Sequence, residues 1–173
     1  PEDRKQHGII GIRSVGENIN LAVRSTFATY AGLLVDERRE RSNATTFVDK
    51  LKIKTPTTRQ LMKNLSGGNQ QKGILARWLS RDSRILLMDE PTRGIDVGTK
   101  SEIYSIIYEL AGSGLGIVMI SSELPEILGV CDRIIVMREG AIVGEVSKDE
   151  ANEQVLLKLA LPTNVRAEAV ESA

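Results

Sequence analysis

LSGGNQQKGILARWLSRDSRILLMDEPTRGID, residues 65–96, decides the fold in three consecutive readings. Ser66, Gly67 and Gly68 open a helical pattern in which Ile74, Leu75, Trp78 and Leu79 form an apolar stripe. Residues 85–88 then run apolar without a break, as expected of a strand buried on both faces of a parallel sheet. Asp89 and Glu90 end that strand, where open α/β sheets bind their ligands.

Downstream, the alternation continues. Ile103, Ile106, Ile107 and Leu110 at i, i+3, i+4, i+7 predict a helix over 97–111, stopped by glycines at 112, 114 and 116. Residues 117–120 read as a second buried strand, and a short helix follows over 125–128 with Pro125 in its first turn. Residues 133–138 and 141–146 form a hairpin about Glu139-Gly140, a last helix covers 149–159, and a frayed tail follows Pro162. Strand and helix in alternation predict an α/β architecture for this half.

Upstream, residues 14–63 read as helical and amphipathic. Ile19, Leu21, Val23 and Phe27, then Leu33, Leu34 and Val35, then Phe47, Val48 and Leu51 supply the apolar positions. The DERRER run, 36–41, reads as a solvated helical face, and Pro56 marks a connector. The organisation expected is a region over 1–13, a mostly helical lobe over 14–80, an α/β core over 81–160 and a tail over 161–173.

Composition narrows the function classes. The 173 residues suffice for a core without staples, and 41% hydrophobic with 27% charged residues is ordinary globular usage. Lys+Arg and Asp+Glu balance at 23 each, which disfavours nucleic acid as a partner. The single cysteine, Cys131, excludes an internal disulfide framework and reads as a small buried apolar residue beside a strand. No apolar run reaches the roughly 18 residues of a membrane span, so membrane association must go through a partner.

A Ser and two glycines opening a helix present free backbone N–H groups and a positive dipole end, a natural phosphate site. Taken alone, Ser66-Gly67-Gly68 is equally an ordinary turn and cap. An acid at position 89 can hold Mg²⁺ through water, and the carboxylate beside it can orient or deprotonate an attacking water. The rival reading is a pair of acids capping the next helix. A phosphate loop needs G-x-x-x-x-G-K-[ST], and no Gly-Lys pair occurs in the sequence. Together with a first residue that is not Met, this leads us to expect a fragment of a longer chain whose phosphate loop lies upstream of Pro1.

LSGGNQQK resembles the signature motif of the ABC ATPases, RILLMDEP their Walker B strand and TRGID their D-loop, at the Ser66-to-Asp89 interval this family uses. The resemblance implies an ABC-type P-loop NTPase fragment, a helical subdomain plus a partial parallel sheet lacking the phosphate-loop strand. It implies that Ser66, Gly67 and Gly68, with Asn69 and Gln70 of the same octamer, meet ATP bound to a different nucleotide-binding domain. Asp89 would hold Mg²⁺, Glu90 would be the general base, and Asp96 would couple the two sites. PEDRK resembles the Q-loop region, with Glu2 at the usual glutamine. Ten residues before Asp132, the switch histidine of the family is replaced by Ser122, which cannot carry positive charge to a phosphate. The only histidine, His7, reads as solvent-exposed in a polar loop.

PEDRK, GNQQK, ARWLS, DEPTRGIDVG, SSELPE and VMREG together resemble the second domain of tandem ATPases that power bacterial monosaccharide importers. That resemblance implies several partners: the N-terminal nucleotide-binding domain of the same full-length chain, transmembrane permease subunits and, indirectly, a periplasmic sugar-binding protein. It places the chain at the cytoplasmic face of the cell membrane. A non-transport ABC protein acting on DNA or ribosomes is the competing class, set against by neutral charge and the lack of a basic stripe.

Overall fold

The structure, a computed structural model, describes residues 4–29 and 34–162. Glu2, Leu33 and the tail from 163 onward, all named above, lie outside the described residues. The chain divides into two compact units, Pro1–Ile120 and Ser121–Ala173. The division falls after the second parallel strand, so the lobe expected over 14–80 shares a unit with residues 81–120.

The first unit is built on capped helices. Helix α1, Val15–Asn20, begins with a full capping box: Ser14 accepts from the Glu17 amide, and Glu17 reaches back to the Ser14 amide. Helix α2, Glu37–Lys50, is capped by Asp36, which accepts from the amides of Arg38 and Arg39. DERRER is therefore the start of a helix, and Arg38, Arg39 and Arg41 are exposed as expected. Between α1 and α2 a two-residue ribbon, β1 (Ala28–Thr29) antiparallel to β2 (Leu34–Val35), replaces part of the expected helix. β-branched and aromatic residues favour this (Thr29, Val35, Phe27), because the local apolar spacing fits either period.

Helix α3, Gly67–Leu79, is buried at every position from 70 to 77. Trp78, expected on the apolar stripe, is instead 45% exposed. The helix is enclosed over its middle turns, and its two ends, at Ser66 to Asn69 and at Trp78, reach solvent. Strand β3, Ile85–Asp89, pairs in parallel with β4, Gly116–Ile120, from Ile85↔Gly116 to Asp89↔Ile120, with α4, Val97–Gly112, as the connection. Leu86 and Met88 are buried, but Ile85 and Leu87 are 64% and 75% exposed. The expectation of burial on both faces is thus corrected: among the described residues only one face of this two-stranded sheet is covered. Val118 and Ile120, whose register places them beside Leu87 and Asp89, share the uncovered face. Ile103, Ile106, Ile107 and Leu110 are the buried face of α4, as read from the sequence.

The second unit packs α5, Leu124–Val130, and α6, Glu153–Ala160, on an antiparallel hairpin of β5, Arg133–Arg138, and β6, Ala141–Ser147. Its core is Ile134, Val136, Val146 and Leu156, with Cys131 half-buried against it and its thiol pushed up by that burial. Glu139 and Gly140 turn the hairpin at φ of 49° and 80°, the two left-handed positions of a type I′ turn. Helix α6 starts later than the expected 149, because Asn152 accepts from the Val155 amide and fixes the start there.

Candidate functional site

The helices α1, α2, α4 and α6 each begin with a side chain that bonds a first-turn amide, whereas Ser66 at the start of α3 makes no such bond. Its hydroxyl instead accepts from Asn69 Nδ2 at 2.9 Å, and Asn69 Oδ1 accepts the Lys54 amide at 2.7 Å. The opening amides of a helix have no intrahelical acceptor. Since Ser66 leaves them alone, the turn from Ser66 to Asn69 aims uncapped N–H groups and the positive end of α3 outward.

What backs this turn is the start of α4. A Cβ placed on Gly68 would lie 1.9 Å from Thr99 Cγ2, so only glycine lets the two helices approach this closely. Thr99 is itself fixed by Asp96: its amide donates at 2.9 Å, and its hydroxyl lies 2.9 and 2.8 Å from the two carboxylate oxygens. Those Thr99 bonds hold the Asp96 carboxyl below its ordinary range. The structure thereby brings together Ser66, Gly67, Gly68, Asn69 and Asp96. One turn further along, the buried Lys72 ammonium donates to Glu102 of α4 at 2.7 Å.

Gln70, the other polar residue expected at this site, lies inside. Its Nε2 donates to the carbonyls of Met62 and Leu65 and ties the preceding turn to the helix. Two further residues anchor the far end of α3 and were not singled out in the sequence. Arg77, 7% exposed, donates from Nε to the Asn18 carbonyl at 2.8 Å and from Nη2 to Asn18 Oδ1 at 3.0 Å. Burial pulls its guanidinium below the ordinary value. Asn18 in turn accepts from the Ile10 amide and donates to the carbonyls of Ile10 and Ser14. The available signal was spacing: Gln70 and Arg77 fall on the same helical face as Ile74, where a solvated polar residue has no place.

Asp89 and Glu90 sit at the C-terminal end of β3. The Asp89 side is exposed, and Glu90 takes φ of 45°, a left-handed conformation that a non-glycine residue rarely adopts. Its amide donates to the Ile120 carbonyl at 2.9 Å, so the kink is locked to the end of β4. Pro91 and Thr92 are buried immediately after, and Gly94 turns the chain at φ of 65° toward the Asp96 cap. Among the described residues no three His, Cys, Asp or Glu side chains gather into a ready metal cage. A single exposed carboxylate at a strand end nevertheless suits Mg²⁺, which keeps waters and binds through one or two carboxylates plus phosphates.

Ser122 belongs to the second unit, exposed two residues before α5. Next to it, the Ser121 hydroxyl donates to the buried Glu126 carboxylate and accepts the Glu123 amide. His7 is exposed, as expected, but it lies in the short helical segment Arg4–Gly8 and not in a loop.

The profile of a family described as "ABC transporter" matches residues 3–93. An arabinose import ATP-binding protein, AraG, of Burkholderia pseudomallei (strain 1710b) is 58% identical over 98% of this chain. The protein of the same name from Paraburkholderia xenovorans is 55% identical over 96% of it. The chain spans about a third of the length of these relatives, 34% and 32%. Among solved structures, a nucleotide-free ATP-binding cassette from an ABC transporter superposes with a TM-score of 0.74 at 18% identity, covering 94% of this chain and 67% of that one. A dimeric cassette in a post-hydrolysis state with ADP and Pi gives 0.66 at 24%, covering 83% and 60%. At such identities these two speak for the fold.

Proposed function

The chain belongs to the ABC transporter family, and from that membership we propose that it works in the ATP-hydrolysing subunit of a bacterial monosaccharide importer, with L-arabinose as the sugar. The observation that carries this reading is the uncapped turn from Ser66 to Asn69, packed through Gly68 on the Asp96 cap. The sugar rests on the names of the relatives, which cover the chain at more than half identity.

In this reading the chain contributes parts to two ATP sites. The first-turn amides at Gly67, Gly68 and Asn69, with the Ser66 hydroxyl, meet the terminal phosphate of ATP held by a partner nucleotide-binding domain. The helix dipole adds stabilisation as negative charge builds there. Gln70 acts one step back, holding the turn that carries Ser66. Asp96 meets the neighbouring domain and ties the state of one site to the other.

Asp89 and Glu90 belong to a second site, whose phosphate loop is supplied outside residues 1–173. Asp89 would hold Mg²⁺ beside the nucleotide, and Mg²⁺ supplies neutralisation of the phosphate charge when bound. Glu90, fixed by its backbone at φ of 45°, would orient and deprotonate the attacking water. Ser122 stands at the switch position, and a hydroxyl lacks the charge to stabilise the developing phosphate. This second site therefore hydrolyses little, while the signature face serves a productive one. Glu2, at the position of the Q-loop glutamine, would face the nucleotide of the second site. By itself the chain hydrolyses negligible ATP and binds it weakly.

The partners in this account are the second nucleotide-binding domain, the transmembrane permease subunits and, through them, a periplasmic sugar-binding protein. No described helix is long and apolar enough to cross a membrane, which is compatible with attachment at the cytoplasmic face through the permease. The test is sugar-stimulated ATP hydrolysis by the assembled transporter. Ser66→Arg places a bulky side chain on the uncapped turn and should abolish stimulation; full turnover by that variant contradicts the reading.

A further inference from the structure

Lys72 is a lysine whose side chain is only 4% exposed, and among the described residues its charged partner within hydrogen-bond distance is Glu102, itself 44% exposed. A buried ion pair is weak evidence for stability, because desolvation offsets the attraction. Its placement is more informative. Lys72 follows Gly68 by four residues and Asn69 by three, so it lies on the helix face directly behind the Ser66 turn. Glu102 follows Thr99 by three residues and lies behind it on α4 in the same way.

The two helices therefore touch at two rungs, Gly68 on Thr99 and Lys72 on Glu102, one turn apart. Gln70 and Arg77 hold α3 against the preceding turn and α1, and these two rungs hold it against α4, so that together they set its roll. Lys54 spans both rungs. Its amide donates to Asn69 Oδ1 at 2.7 Å, and its ammonium lies 3.6 Å from Glu102 Oε1. Lys72 also donates to the Lys52 carbonyl at 3.3 Å, which joins the same segment from below.

We propose that the Lys72–Glu102 pair is a positioning device that fixes the roll of α3, and with it the aim of the Ser66-to-Asn69 amides at a partner-held terminal phosphate. Lys72 does not touch the nucleotide; it acts through Glu102 and the helix. The proposal rests on the reading that this turn serves a partner's ATP. Because a partner's phosphate loop holds the ground-state nucleotide, loss of aim falls on turnover rather than on ATP binding.

The experiment measures sugar-stimulated ATP hydrolysis of the complete transporter carrying Lys72→Met, Lys72→Arg and, as a control, Ser66→Arg. Lys72→Met keeps the buried methylene volume and removes the charge. It is expected to lower kcat at least 5-fold with the KM for ATP within 2-fold of the parent, while Lys72→Arg restores kcat to within 2-fold. Should Lys72→Met fail to assemble, Glu102→Gln carries the comparison from the half-exposed side of the pair, with a smaller loss again confined to kcat. Parental kcat in Lys72→Met, or a loss carried by KM and not rescued by arginine, overturns the positioning role. If Ser66→Arg is inactive while Lys72→Met turns over normally, only the positioning role falls; full turnover by Ser66→Arg removes the reading beneath it.

Discussion

Gly68→Ala tests the contact on which the site is built. The new Cβ would lie 1.9 Å from Thr99 Cγ2, 3.1 Å from Thr99 Cβ and 3.4 Å from Thr99 Oγ1. The threonine cannot swing its methyl aside freely, because its hydroxyl is held at 2.9 and 2.8 Å by both oxygens of Asp96. Overpacking of this kind costs about 1–3 kcal/mol, and breaking the cap bond to escape it costs about 1 kcal/mol. Against these stands a gain of up to about 1 kcal/mol for alanine over glycine in a helix. The net expectation is a loss of about 1–2 kcal/mol.

In a Thr99→Ala background the nearest atom becomes a Cβ at 3.1 Å, which a shift of a few tenths of an ångström relieves. Gly68→Ala should then cost close to nothing, giving an interaction energy of about 1–2 kcal/mol across the double-mutant cycle. Urea titration followed by the fluorescence of Trp78, the sole tryptophan, reads both backgrounds, with midpoints moving at constant slope. Equal costs in the two backgrounds, within about 0.5 kcal/mol, would refute the packing argument.

Three other perturbations have defined outcomes. Asn18→Ala removes the carboxamide acceptor of the buried Arg77 guanidinium and the bond to the Ile10 amide, and should cost about 2–4 kcal/mol in the same titration; a loss under about 1 kcal/mol would show the network to be dispensable. Glu17 has its carboxyl held below the ordinary 4.5, chiefly by the Ser14 amide, so its contribution is present above that pH and is lost as pH falls through the lowered folded value. Unfolding midpoints of Glu17→Gln, measured from pH 6 downward on the scale of that linkage, should therefore converge on the parent in acid, and a gap that stays constant counts against the capping box. Gly140→Ala forces a Cβ into φ of 80° and should destabilise the hairpin unit by about 1 kcal/mol, read from the loss of amide exchange protection in β5 and β6.

The parts legible in the sequence were those set by local chemistry. Helix α4 lies where its apolar spacing, the Asp96 cap and the glycine stop put it. The hairpin turns at Glu139-Gly140 because Gly140 accepts left-handed backbone freely, while Glu139 is held in it at φ of 49°. The uncapped turn at Ser66 is likewise a local event, which is why helix α3 could be read from its first residues. What escaped depends on distant partners. Arg77 finds Asn18 across 59 residues of sequence, and Lys72 finds Glu102 across 30. No periodicity reports such pairs. Trp78 fits the apolar stripe by spacing yet is exposed, since α3 is enclosed around 70–77 and open at its end. The run at 85–88 announces two apolar faces, and the described residues cover only that of Leu86 and Met88. The Glu90 kink has no sequence signature beyond the proline after it.

The most direct test of the central claim is where a photoreactive group on the γ-phosphate of ATP attaches in the assembled transporter. Labelling of the turn from Ser66 to Asn69 is expected only when the partner nucleotide-binding domain is present, and none on the chain alone. Equal labelling of that turn without the partner, or its absence from the labelled peptides of the complete assembly, would contradict it.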